Sequence, residues 1–203
     1  MKKIGILVLL ASAVLLLGGS ALAQGDLSYY FVTYYSNANN PKAPDATLRI
    51  VNDGDISTAE SEGVPNGGLW AFIYVFDDSQ EMQECCSCFV SADGILSESV
   101  NKELLANSLT GKVNTRGVIK VIASLFSDPT NTGYTRPGLH GTMTHIQAFN
   151  SVGASPYTTT EAPLAGANRS GDEEAALEES CSFAITLGSG RGVCSCTPED
   201  HDF

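Results

Sequence analysis

The chain has 203 residues, of which 43% are apolar and 17% charged, and its 11 Lys and Arg against 23 Asp and Glu give a formal net charge of −12. The apolar fraction is sufficient for a packed core and argues against a disordered chain. Nucleic acids and anionic membranes are bound by basic surfaces, so this charge argues against both as partners.

Residues 1–23 have the pattern of a secretory signal peptide. Two lysines precede a mainly apolar run, Ile4–Leu17, and the small residues of Ala21-Leu22-Ala23 suit a signal peptidase. The run is shorter than the roughly 20 residues that a membrane-spanning helix needs. We therefore expect cleavage after Ala23, and a secreted protein that is periplasmic, on the cell surface or extracellular and has no membrane span after cleavage.

Segment 24–150 is predicted to form a β-sandwich domain. Short runs of β-branched and aromatic residues, separated by turn residues, are typical of strands. The predicted strands are Leu27–Tyr35, Thr47–Val51, Leu69–Phe76, Glu81–Ser91, Ile95–Val100, Gly117–Phe126 and Leu139–Phe149. This number and spacing indicate a mostly β protein built as an antiparallel β-sandwich, immunoglobulin-like or related.

Local signals within this segment refine the prediction. Leu69–Phe76 is almost wholly apolar, which is typical of a strand buried on both faces. Asp77–Gln80 is predicted to turn the chain into the next strand, and Asp93-Gly94 indicates a second hairpin. Residues 101–108 are predicted to form a helical turn.

The C-terminal part of the chain differs in character. Residues 151–171 are rich in Ser, Thr, Pro and Gly and are predicted to be a connection. In 172–203 we expect a helix, followed by an extended Cys-x-Cys segment, both packed on the sandwich. Ser170 and Glu173 match a capping box, in which each side chain accepts a hydrogen bond from the backbone N–H of the other residue.

Six cysteines form two clusters and one isolated position: Cys85, Cys86, Cys88, Cys181, Cys194 and Cys196. An even number in an exported chain predicts disulfides. Because strand side chains alternate, Cys86 and Cys88 share one face and Cys85 lies on the other. The simplest pairing joins Cys86 and Cys88 to the terminal Cys-x-Cys and Cys85 to Cys181, so three disulfides tie the C-terminal helix to the sandwich.

A metal site is the alternative interpretation of the same residues. Thiolates of Cys86, Cys88, Cys194 and Cys196 on facing strands could hold zinc, or Cu(I), in a tetrahedral site. Structural zinc favours C-x2-C over C-x-C spacing, and thiolates persist in reducing compartments. The disulfide interpretation is therefore favoured, and it needs no cofactor.

Four tyrosines near the start of the first strand form a candidate partner-binding site: Tyr29, Tyr30, Tyr34 and Tyr35. Exposed tyrosines combine a large contact area with a polar tip. The alternating apolar pattern favours burial of these residues in the sandwich core instead. A strand donated to a neighbouring subunit is also compatible with the sequence.

No catalytic motif is present, but two histidines are candidates for chemistry. His140 and His145 lie five residues apart, which places them on opposite faces of a strand. We therefore expect one packed and one exposed histidine, and not a site that the two histidines share. A hydrolase would require one of them to approach a carboxylate or nucleophile.

The polar segment around Asn52-Asp53 is a candidate calcium site. Asn52, Asp53, Asp55 and Ser57 supply oxygen atoms but lack the remainder of an EF-hand loop. A solvated turn is the favoured interpretation.

The stretch Tyr74–Cys88 (YVFDDSQEMQECCSC), with GVIKVIASL, THIQAF and the terminal CSC, resembles a group of exported bacterial proteins of no known activity. The resemblance implies a shared cysteine framework and transfers no function. The sequence thus predicts an exported bacterial, non-catalytic structural or interaction domain, rather than an enzyme, whose partner is an unidentified protein or surface. A secreted zinc- or copper-binding protein is the alternative, and a hydrolase is the third hypothesis.

Overall fold

The structure, a computed structural model, describes residues 28–54, 67–105, 114–148, 156–187 and Cys196. Its strands are β1 (Tyr30–Tyr35), β2 (Thr47–Asn52), β3 (Leu69–Asp77), β4 (Met82–Val90), β5 (Ile95–Ser99), β6 (Gly117–Ser124), β7 (Leu139–Ala148), β8 (Tyr157–Pro163) and β9 (Ala165–Gly166). Its helices are α1 (Val100–Glu103) and α2 (Gly171–Leu187).

The strands form two antiparallel sheets. Sheet A has the order β4-β3-β6-β1-β9, and sheet B has the order β5-β2-β7-β8. The predicted antiparallel sandwich with a C-terminal helix is confirmed.

The main core lies between the two sheets. Alternate residues of each strand point inward, as the period of two requires. Ile73 and Val75 from sheet A and Leu48 and Ile50 from sheet B are almost completely buried there.

A second core lies on the outer face of sheet A, beneath α2. Leu177, Cys181 and Ala184 of the helix are buried against the sheet. The sheet residues of this core are Tyr30, Phe72, Tyr74, Cys85 and Ile122. The second core explains why β3 is apolar on both faces, because its inward residues meet sheet B and its outward residues meet the helix.

The predicted hairpin at Asp93-Gly94 is wrong in its topology. The turn forms, with the Gly94 N–H donating to the Ser91 carbonyl at 2.9 Å and Asp93 at φ 59°. However, β5 pairs with β2 in sheet B, whereas β4 belongs to sheet A. The turn carries the chain from one layer to the other, a distinction that turn residues alone do not encode. The predicted β3–β4 hairpin forms.

Stretch 151–171, predicted as a connection, contains β8 and β9. Strand β8 pairs with β7, and the chain then passes through Leu164 to β9 at the edge of sheet A. The crossing requires Gly141, because a Cβ there would lie 2.4 Å from the Arg49 carbonyl oxygen and 2.8 Å from Leu164 Cδ1. These strands are not evident from the sequence, because their residues lack alternating apolar positions.

Several sequence predictions concern residues outside the described ranges. They include the signal peptide at 1–23, the beginning of the first predicted strand, and the extended segment before Cys196. The predicted helical turn at 101–108 corresponds in part to α1, after which Leu104 and Leu105 are buried. No helix within the described ranges is long and apolar enough to cross a membrane.

Candidate functional site

The cysteine framework joins the C-terminal part of the chain to β4. Cys85 is bonded to Cys181 of α2, with 5.7 Å between their Cα atoms, and Cys88 is bonded to Cys196, with 5.1 Å. Cys85 belongs to the second core and Cys88 to the main core, as strand alternation predicts. The disulfide attachment of the helix is therefore confirmed.

The third predicted bond involves a residue outside the described ranges. Cys86 is also disulfide-bonded, and no described cysteine is free. The predicted pairing of Cys86 and Cys88 with the terminal Cys-x-Cys leaves Cys194 as its partner, because Cys196 is bonded to Cys88, and Cys194 is not among the described residues. The Cys86–Cys194 bond therefore stays a prediction.

The disulfides occupy the cysteines that the alternative metal site would need. Cys88 and Cys196 are joined to each other, and Cys86 is also oxidised, so none of the three offers a thiolate. In the described ranges, no group of three His, Cys, Asp or Glu side chains is arranged to hold a metal ion.

Polar contacts fix the first turn of α2 to sheet A. The carboxylate of Glu173 accepts hydrogen bonds from Lys120 Nζ at 2.5 Å and from the Tyr30 hydroxyl at 3.0 Å. Burial and the hydrogen bond to Glu173 raise the pKa of Tyr30 above its ordinary value. Ser170 Oγ accepts from the Glu173 N–H at 3.1 Å, which is one half of the predicted capping box. The Glu173 carboxylate contacts the sheet instead of completing the other half.

A second group of polar contacts fixes α2 to the loop between β6 and β7. Thr132 donates its N–H to Glu178 Oε1 at 2.6 Å, and its hydroxyl lies 3.1 Å from Glu174 Oε1. Arg169 Nη2 lies 3.2 Å from Glu174 Oε2 and donates to the Thr132 carbonyl at 3.3 Å. These carboxylates are engaged in holding the helix in place, which gives the cluster a structural role.

One buried carboxyl group lies beside a disulfide. Glu98 is only 1% exposed, and its Oε1 lies 3.9 Å from Cys88 Sγ. Burial, together with the charge of Glu103 and its hydrogen bond to Glu98, raises the pKa of Glu98 to about 7. Glu103 in turn accepts from the Ser99 N–H at the beginning of α1. Glu98 is thus a titratable group within the fold.

An aromatic patch borders the second core. Trp70 is paired in register with Phe89 of β4 and with Ser124 of β6, and Ser124 forms a bridge to Thr135. The four rings form two pairs: the ring centroids of Trp70 and Phe89 are 5.2 Å apart, and those of Phe126 and Tyr134 are 4.3 Å apart. We name these four residues the aromatic patch: Trp70, Phe89, Phe126 and Tyr134. Phe126 is 38% exposed and Tyr134 52%.

The four candidate tyrosines do not form one surface. Tyr30 and Tyr35 are buried, on opposite faces of β1 in the two cores. Tyr29 is half-buried, with the Arg169 guanidinium 5.5 Å from its ring centre, and Tyr34 is exposed. Strand β1 lies between β6 and β9 of its own sheet, where β6 pairs with all of Tyr30–Tyr35 and β9 pairs with Phe31 and Val32.

The two histidines have separate environments. His140 is exposed, with Nε2 3.0 Å from Asp53 Oδ2. His145 is half-buried, with Nε2 3.1 Å from the Thr33 hydroxyl and its ring 4.0 Å from that of Tyr34, and burial lowers its pKa. Five residues of strand separate them by about 16 Å. His140 thus approaches a carboxylate and His145 a hydroxyl, as the hydrolase hypothesis requires, but the two histidines do not share a site.

The two described candidate calcium ligands, Asn52 and Asp53, have different contacts. Asn52 is buried, and its amide donates to the carbonyls of Gly67 and Val90 at 2.7 and 3.0 Å. Its Oδ1 accepts from the Gly54 N–H, so this side chain holds the turn together. Asp53 contacts His140, while Asp55 and Ser57 lie outside the described residues.

The aromatic patch is not evident from the sequence, because its members come from three parts of the chain. Only the order of strands in sheet A brings Trp70 beside the loop that carries Phe126 and Tyr134. The remaining signal is the aromatic residue type itself, which also fits a core position.

Comparisons with protein-family models, with curated proteins and with solved structures found no match.

Proposed function

We propose that this chain is an exported bacterial, non-catalytic interaction domain stabilised by three disulfides. The observation that carries the proposal is the joining of α2 to sheet A by a buried disulfide, Cys85–Cys181. Disulfides form and persist in oxidising compartments outside the cytoplasm. The described polar clusters support the same proposal, because their side chains are used to hold helix, loop and sheets together.

The aromatic patch is the proposed contact surface. Phe126 and Tyr134 are exposed and their ring centroids lie 4.3 Å apart, just beyond Ser124, which is the register partner of Trp70. Aromatic residues are enriched in the centres of protein interfaces, where they bury large areas at a small entropic cost. The acidic chain repels anionic surfaces, so the patch suits an uncharged or basic partner.

Trp70 makes the proposal testable, because it is the only tryptophan in the chain and belongs to the patch. We would measure its fluorescence, and co-sedimentation of the full secreted chain, with washed bacterial cells and with purified peptidoglycan. The wild type is compared with the double variant Phe126→Ala/Tyr134→Ala, which removes the two exposed rings of the patch. The matched control is Val51→Ala/Ile95→Ala, which removes two apolar side chains that are exposed on sheet B.

We expect binding to fall at least about tenfold in the patch variant and to be retained in the control, as interface hot spots behave. Equal binding by both variants, or no binding by the wild type to either probe, would contradict the proposed contact surface.

The same protein samples also test the metal-binding and hydrolase hypotheses. A metal-binding protein would carry free thiols and a bound ion, and a hydrolase would lose activity when His140 or His145 is replaced.

A further inference from the structure

Strand β8 forms an open edge of sheet B. Within the described ranges it pairs only with β7, and it spans seven residues, Tyr157–Pro163. Its central residues Thr158, Thr159, Thr160 and Glu161 are all exposed. A strand edge of this kind presents unpaired backbone N–H and C=O groups, to which another strand can add.

The register identifies which backbone groups face outward. The Leu164 N–H donates to the Gly141 carbonyl at 2.8 Å, and each further pair of β7 and β8 follows in the same register. Hydrogen-bonded pairs alternate along an antiparallel ladder. Thr160, four residues before Leu164, therefore bonds to β7, whereas Thr159 and Glu161 direct their N–H and C=O groups away from it. Pro163, which has no N–H, falls in the outward set as expected.

We propose that this edge pairs with β8 of a second copy of the chain. An antiparallel arrangement about a twofold axis at Thr160 places Thr159 opposite Glu161 of the partner subunit. Each such pair exchanges two backbone hydrogen bonds, and the symmetry gives two pairs. The outward groups of Thr159 and Glu161 are then all satisfied, so the edge is complementary to itself.

Charge favours the register with its axis at Thr160 over the register with its axis at Glu161. An axis at Glu161 would place two carboxylates directly opposite each other, which is unfavourable across strands. In the proposed register each Glu161 faces a neutral threonine. Within its own chain, the Glu161 carboxylate accepts from Arg49 Nη1 at 3.1 Å and from the Thr142 hydroxyl at 2.5 Å. These contacts keep its charge on the outer face of the sheet while the backbone edge stays accessible.

The pairing of two short edges buries less area than stable dimers require, so we expect weak and reversible association. The experiment is analytical ultracentrifugation of the full secreted chain from micromolar to millimolar concentration. Thr159→Pro removes an outward N–H and no bond to β7. We expect the dimer of this variant to be weaker by about tenfold, since the symmetry removes two hydrogen bonds.

A charge pair at the same position keeps the test valid if the proline variant fails to fold. Thr159→Lys places a cation opposite Glu161 of the partner subunit and is expected to tighten the dimer by about fivefold. Thr159→Glu is expected to weaken it by a similar factor. Thr158→Lys and Thr158→Glu are the matched controls, because Thr158 bonds to β7 and its side chain lies on the opposite face of the strand.

The control variants measure how overall charge alone changes association of an acidic protein. Changes at position 159 that exceed those at 158, with the stated opposite signs, support the proposed register. A chain that is monomeric at all concentrations would overturn the proposal. So would a dimer whose affinity changes equally at the two positions, because the interface would then lie elsewhere. Binding by the aromatic patch is measured separately, so the two proposals can fail independently.

Discussion

Cys85 of β4 and Cys181 of α2 are separated by 96 residues in the chain and joined by a disulfide. Both residues are buried in the second core, where α2 contributes only two further buried side chains, Leu177 and Ala184. The disulfide and the polar contacts of Glu173, Glu174 and Glu178 add to this apolar contact in holding the 17-residue helix on the sheet.

Replacement of this disulfide by Cys85→Ala/Cys181→Ala is expected to destabilise the fold strongly. Closing a loop of this length removes unfolded-state entropy equivalent to about 4–5 kcal/mol, although measured values are often smaller. We expect the free energy of unfolding in urea to fall by about 3 kcal/mol. A loss below about 1 kcal/mol would show that α2 is held without the bond.

The apolar part of the attachment is tested at Leu177. Leu177→Ala leaves a cavity in the second core and is expected to cost about 2–4 kcal/mol of unfolding free energy. The matched control is Phe183→Ala on the same helix, because Phe183 is 65% exposed. We expect the control to change stability by less than about 0.5 kcal/mol despite its larger side chain. Equal losses of unfolding free energy in the two variants would show that Leu177 does not lie on the buried face of α2.

The polar attachment is tested at Glu173, which contacts both Lys120 and Tyr30. Glu173→Gln weakens both contacts and is expected to cost about 1–2 kcal/mol. Asp172→Asn is the control, since it removes the same charge from the same helical turn at an exposed position. The difference between the two variants in thermal unfolding isolates the contacts to the sheet from the helix-dipole effect. If the two variants unfold alike, Glu173 does not anchor the helix.

Glu98 is expected to make stability fall as pH rises. Its pKa in the folded chain is about 7, above the ordinary 4.5, so between these values the folded state binds more protons than the unfolded state. The unfolding free energy should therefore decrease by about 3 kcal/mol from pH 4.5 to above pH 7 because of this group. Glu98→Gln should remove that decrease, whereas Glu179→Gln, at an exposed position of α2, should retain it. Parallel pH profiles for wild type and Glu98→Gln would contradict this assignment.

Much of the sandwich could be predicted from residue patterns, because burial on a sheet follows a period of two. The same alternation placed Cys85 on the opposite face from Cys88, and the disulfides agree. The apolar run Leu69–Phe76 likewise indicated burial on both faces, which α2 and sheet B explain.

Features that depend on strand order could not be predicted. The turn at Asp93-Gly94 has the same residues whether the chain pairs back on β4 or crosses to sheet B. The threonines of β8 carry no apolar alternation, so only the ladder with β7 identifies them as a strand. His140 and Asp53 meet because β2 and β7 are neighbours, a relationship absent from their spacing in the sequence.

The most direct test of the account is the intact mass of the natively exported chain, measured with and without thiol alkylation and without exposure to chelator. Three disulfides predict a denatured mass about 6 Da below that of the fully reduced chain, with no alkylation. Peptide mapping should then recover Cys85–Cys181, Cys88–Cys196 and the predicted Cys86–Cys194 pair. Alkylatable thiols, together with a metal-sized increment in the native spectrum, would contradict the disulfide framework and favour a metal-binding protein.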